Sequence, residues 1–142
     1  MSLSHILVPY DGSEHSQKAL EKAIGLGTEL KAQIEVLYVD STSTEILQQP
    51  LVIPTHELES YFDHEEEDVR LNLRQLISTI PNAQATVIQG SAGKSIVKYA
   101  DSIEADLIIM GSRGLGTVSE FVMGSVSHYV TQRAKSPVMI VK

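Results

Sequence analysis

The sequence predicts an α/β protein, with an open sheet of five mostly parallel strands and helices on both faces. Three observations carry this expectation. Short apolar runs recur along the chain, bounded by Gly, Pro or Asp. Segments with apolar residues at three- and four-residue steps lie between them. The two kinds alternate as β-α-β-α-β-α-β-α-β, an order that favours parallel pairing through right-handed crossovers.

The elements follow in order. Ile6-Leu7-Val8, closed by Pro9, reads as the first strand. Ser13 is a natural N-cap for the helix that follows, with Glu14 in its first turn, where the helix dipole favours negative charge. Ala19, Leu20, Ala23, Ile24 and Leu30 form the apolar stripe of this helix. Gly25 and Gly27 each cost about 1 kcal/mol relative to Ala, so its last turns are expected to be irregular. The second strand is 34–39, IEVLYV. The stretch 40–55, with Pro50 and Pro54, reads as a loop and is the one long connection. A helix over about 56–80 carries Val69, Leu73, Leu76 and Ile80, and Pro81 stops it. Then come a strand at 85–88, a helix at 94–103 with Ile96, Val97, Ala100 and Ile103 inward, and a strand at 107–110. A helix at 125–134 and a strand at Val138–Val141 complete the chain.

Composition narrows the function. The chain has 142 residues, 42% hydrophobic and 20% charged, with no cysteine and a net charge of −7. No repeat, low-complexity tract or linker divides it, so 1–142 reads as one domain. Without cysteine there is neither a disulfide framework nor a thiolate metal site. The opening residues lack a basic segment followed by a long apolar run, and stretches such as 107–110 are far too short to span a bilayer. A cytoplasmic protein without a membrane segment is expected. An acidic chain disfavours nucleic acid, whose binding depends on Lys and Arg against phosphates. One small phosphate ligand is still compatible, because backbone N–H groups can supply a local positive field.

The informative motif is GSRGLGTVSEFVMGSVSHYV, which follows the strand LIIM. Gly111 and Gly114 are two residues apart, and nine residues then pass before Gly124-Ser125. Glycines permit backbone approach that a Cβ would obstruct. A helix starting at Ser125 would offer unpaired N–H groups, with the Ser125 and Ser127 hydroxyls facing the loop, as an anion site. Arg113 would add a charge-assisted contact to phosphate. The alternative is that the glycines serve tight turns only. That explains Gly111 alone, but with Gly at about 7% of residues the spaced set arises by chance in roughly one chain in a hundred or fewer.

The pattern G-x2-G-x9-G-[ST] after a hydrophobic strand resembles the nucleotide loop of the universal stress protein family. ILVPYDGSEHS resembles that family's first strand and turn, and SPVMIVK its last strand. The resemblance, to the ATP-binding subgroup, implies a doubly wound parallel sheet in the order 3-2-1-4-5. It implies ATP above the carboxyl ends of strands 1 and 4, where open α/β sheets bind ligands. Pro9, Asp11 and Val39 match positions around adenine and ribose. Met110, Gly111, Arg113, Gly114, Gly124, Ser125 and Val126 match those that hold ribose and phosphates. Asp11 also has a simpler reading as a turn residue. The last strand, apolar throughout, would be a sheet edge. A homodimer through Val138–Val141 would cover it, and burial under the last helix is the alternative.

Two other signals carry less chemistry. GSAGKS, 90–95, lacks the earlier glycine of a phosphate-binding P-loop, since position 88 is Ile88. It reads as the turn that starts a helix. His64 to Asp68 is acidic, but a zinc helix would need His where Asp68 stands. A solvated face accounts for it. No nucleophile–base pair is evident, so the expected function is ATP-dependent regulation in a stress response, with Mg2+ or Mn2+ on the phosphates. Slow ATP hydrolysis or autophosphorylation is one alternative. A partner-binding module with an empty or AMP-filled pocket is another.

Overall fold

In a computed structural model of the chain, residues 2–41, 71–113 and 123–142 are described. The expected loop at 40–55, the start of the helix from residue 56, His64 to Asp68, and Gly114 lie largely or wholly outside them.

Five strands form one sheet: β1 (His5–Pro9), β2 (Gln33–Asp40), β3 (Ala83–Gln89), β4 (Leu107–Gly111) and β5 (Val138–Val141). Their spatial order is β3-β2-β1-β4-β5 and every adjacent pair is parallel. Ile6 stands between Ile34 and Leu107, so β1 is central. Residues of the inner strands are buried on both faces, which is why β1 and β4 read as continuous apolar runs rather than alternating ones.

Among the described residues the helices are α1 (Glu14–Leu30), the helical residues 71–78 (α2), α3 (Ala92–Ser102) and α4 (Ser125–Arg133). Strand alternation divides the core. Ile6, Val8, Val36 and Ile109 pack with Ala19, Leu20 and Ala23 of α1 and with Leu73 of α2. Leu7, Leu37, Ile108 and Met110 face the other way, onto Ile96 and Ala100 of α3 and Val130 of α4. Helices therefore cover both faces of the sheet.

Several boundaries move from their expected places. Helix α1 runs unbroken to Leu30 despite its glycines, which corrects the expectation of irregular last turns. The reason lies in tertiary packing: a Cβ on Gly27 would come within 3.0 Å of Ile34 Cδ1, so the missing side chain lets α1 approach β2. Leu30, expected on the apolar stripe, is 46% exposed where the helix ends. Helix α3 begins two residues before the expected Lys94, with Ser91 at its N-cap, and Lys94 is exposed on its first turn. Gly93 lets α3 pack on α4, since a Cβ there would lie 2.8 Å from Tyr129 Cδ1.

Candidate functional site

The chain leaves β1 toward β2 and β3 on one side, while β4 and β5 lie on the other. Strand order thus reverses between β1 and β4, and a crevice opens at their carboxyl ends. A cleft sits there, lined by residues of both strand ends and of the helices that flank them. Its lining has two chemical characters. Leu37, Val39 and Ile96 are apolar, whereas Asp11, Arg113 and Ser125 are polar or charged.

Nine of the sequence-predicted positions line this cleft: Pro9, Asp11, Val39, Met110, Gly111, Arg113, Gly124, Ser125 and Val126. The tenth, Gly114, lies outside the described residues. The sequence reading missed Tyr10, Ser16, Leu37, Ala92 and Ile96 as cleft residues. Only Tyr10 carried a usable signal, since it stands between two residues already singled out.

Local structure explains how these groups are placed. Asp11 Oδ1 accepts from the Ser13 amide at 2.9 Å, so Asp11 is a turn residue that also lines the cleft. Ser13 then caps α1, its Oγ accepting from the Ser16 amide at 3.2 Å. Helix α4 is different. Its N-cap is Gly124, which has no side chain to offer, so among the described residues the first-turn N–H groups receive no side-chain cap. The N-cap of α3, Ser91, also makes no side-chain capping bond, and Ala92 after it lines the cleft.

The glycine loop is tied at its ends. The Gly124 amide donates to Ser112 O at 2.7 Å, and Ser127 Oγ donates to the same carbonyl at 2.9 Å. The Ser127 hydroxyl thus faces the glycine loop, as the sequence predicts, and Ser127 also lines the cleft. Ser127 is 3% exposed and its Oγ lies within hydrogen-bond distance of two backbone carbonyls, Ser112 O and Gly124 O, so its proton serves the loop closure. Gly111 likewise has an internal reason to be small: a Cβ there would lie 2.7 Å from the His15 carbonyl carbon.

Among the described residues, no group of three or more His, Cys, Asp or Glu side chains is arranged to hold a metal ion. No described helix is long and apolar enough to cross a membrane.

Fold and cleft define a class: a doubly wound parallel α/β protein with an uncapped helix N-terminus at the crevice where strand order reverses. The universal stress protein family model matches residues 3–142, and the chain belongs to that family. It is 32% identical over 148 residues to universal stress protein YxiE of Bacillus subtilis, covering 96% of this chain and 97% of that one. Its structure is similar to universal stress protein UspA from Lactobacillus plantarum, at 25% identity and a TM-score of 0.78, covering 100% of this chain and 99% of the other. The same fold occurs in a universal stress protein in complex with cAMP (22% identity, TM-score 0.65, 100% and 98% coverage). It also occurs in one from Archaeoglobus fulgidus in complex with dAMP (17% identity, TM-score 0.60, 100% of both chains).

Proposed function

We propose that this chain is an ATP-binding regulatory protein of the stress response, with the nucleotide held in the crevice between β1 and β4. The observation that carries the reading is the α4 N-terminus. Its uncapped first turn lines one side of a cleft whose other side is apolar. That combination suits an anionic tail joined to a flat, weakly polar ring.

In this reading Leu37, Val39 and Ile96 flank the base, and Asp11 accepts from ribose hydroxyls beside Pro9. The amides of Ser125 and Val126 and the guanidinium of Arg113 take the phosphates, along the backbone of Met110, Gly111, Gly114 and Gly124. Close approach of bare backbone at Gly124 is what brings the phosphates within reach of the helix. A divalent cation, Mg2+ or Mn2+, would be held mainly by phosphate oxygens and water, as magnesium often is. The cAMP and dAMP complexes of other family members support a nucleotide as the ligand class. A cysteine-free chain suits the reducing cytoplasm, where the proposal places it. The homodimer belongs to the proposal too, through the edge strand β5.

The test is direct. The protein is purified without added nucleotide, denatured, and the released small molecules are identified by mass spectrometry, followed by titration with ATP. Retained or titratable ATP that is not turned over supports the reading. ADP accumulating over many turnovers would make the chain an enzyme instead. Absence of any nucleotide affinity would reduce it to a partner-binding module.

A further inference from the structure

A cluster behind the cleft extends this picture. His15, in the first turn of α1, is half-buried, and its Nε2 lies 2.9 Å from Arg113 Nη2. Its Nδ1 lies 3.2 Å from Ser112 Oγ. A guanidinium has donors only, so in this arrangement Nε2 is the acceptor. The tautomer that fits both contacts carries its proton on Nδ1, facing Ser112 Oγ. Gly111 makes the approach possible, because a Cβ there would collide with the backbone of His15. Arg113 lines the cleft together with Ser125 and Val126, whereas His15 does not line it and reaches it through the arginine.

We propose that His15 is a positioning residue that holds the Arg113 guanidinium toward the phosphate end of the cleft. Preference for a polyphosphate over a monophosphate then depends on a neutral imidazole at position 15. The inference rests on the nucleotide-binding reading above and deepens it. Arginine carries a large rotamer entropy, and an acceptor already in place reduces what is lost when it meets an anion. Protonation of Nε2 would remove that acceptor and set two cations side by side.

Among the described residues, the charged groups within a helical turn of His15 or at the adjoining strand ends include Asp11, Glu14 and Lys18 on the turn and helix that carry His15, Arg113 after β4, and Lys142 after β5. Glu14 and Lys18 pair with each other at 3.5 Å. Among these residue types, histidine is the one whose charge ordinarily changes between about pH 5 and 8.

The test uses calorimetric titration of the whole chain with ATP and with AMP at about pH 8 and pH 5.5. At the higher pH, His15→Leu is expected to weaken ATP about tenfold, the scale of one charge-assisted hydrogen bond, and AMP less than about twofold. His15→Gln keeps an acceptor oxygen that does not titrate, and it should restore most of the ATP affinity. On acidification, wild type should lose ATP affinity about fivefold more than His15→Gln. Protonation of ATP itself cancels in that ratio, and the ratio does not depend on whether the leucine variant folds.

Three results would overturn the proposal. Equal ATP affinity of wild type and His15→Leu with a flat pH ratio removes the positioning role and leaves nucleotide binding standing. Equal loss of ATP and AMP assigns His15 a merely structural role. A wild-type protein that binds neither nucleotide overturns the role and the nucleotide reading together.

Discussion

Gly124 and Ser112 meet through a 2.7 Å hydrogen bond, amide to carbonyl, that ties together the two ends of the glycine loop. The contact is close enough that a Cβ on Gly124 would lie 3.3 Å from Ser112 O and 3.4 Å from Arg113 Cα. The Gly124 backbone, at φ −62 and ψ 156, is in a region open to any residue. A substitution is therefore opposed by space and not by torsional strain.

That relationship predicts the behaviour of Gly124→Val. Its branched side chain must push Ser112 and Arg113 aside or project into the cleft. ATP affinity should fall at least about tenfold, while a loss of folding stability stays in the range of about 1–3 kcal/mol typical of overpacking. Calorimetric titration and chemical denaturation read the two effects separately. Wild-type affinity in a folded variant would remove Gly124 from the proposed site.

Gly111→Ala addresses stability. The added methyl would meet His15 backbone atoms at 2.7 and 2.9 Å, and backbone cannot rotate away. A destabilisation of about 1–3 kcal/mol is expected, measured from the urea midpoint at unchanged slope. An unchanged midpoint would show that α1 can shift from β4 at no cost.

Ser127→Ala isolates the loop closure. The variant removes the donor to Ser112 O, but the Gly124 amide still pairs that carbonyl. The cost should stay near 1 kcal/mol in denaturation, because the acceptor is not orphaned. A loss above about 3 kcal/mol would mean the hydroxyl supports more than this one contact.

Asp106 gives an acid-stability prediction. Its carboxylate accepts from the Ser4 amide, Ser4 Oγ and the His5 amide, each at 2.9 Å, tying the start of β1 to the start of β4. The hydrogen bonds from Ser4 and then His5 hold its pKa below the ordinary 3.8. A lowered folded-state pKa contributes stability above 3.8 that is lost as pH falls through the folded value. Asp106→Asn should show a shallower loss of stability below about pH 4 than wild type, in urea titrations across the acid range. Parallel curves would contradict the assignment.

The sheet edge supplies a test of assembly. Met139 is 36% exposed on β5, which pairs with β4 on one side only. Val138 and Ile140 are partly buried against the α3–α4 core, so the helix layer covers one face and leaves the edge itself. Met139→Lys places a charge of the kind that blunts strand edges. It should convert a dimer to monomer in sedimentation at micromolar concentration. A wild-type monomer would remove the dimer from the proposal.

Much of this architecture was legible without coordinates, and for a local reason. Apolar spacing of two or three to four residues reports which face of a strand or helix is buried. Ile6 to Val8, Ile96 with Ala100, and the Ser13 cap could therefore be read directly. The glycine spacing marked one wall of the cleft in the same way. Propensity misled where packing outweighed it, as at Gly27, whose missing side chain is needed by Ile34 and not by the helix.

The sequence by itself determined the order of elements, their buried faces and the loop that borders the crevice, because each is written in residues close along the chain. Tertiary structure alone decided that Gly111 is small for His15, that Arg113 leans on an imidazole 98 residues away, and that Ser127 Oγ closes the loop onto the Ser112 carbonyl. Those contacts arise only once β4 settles beside β1, and no spacing within either segment encodes which residues will then touch.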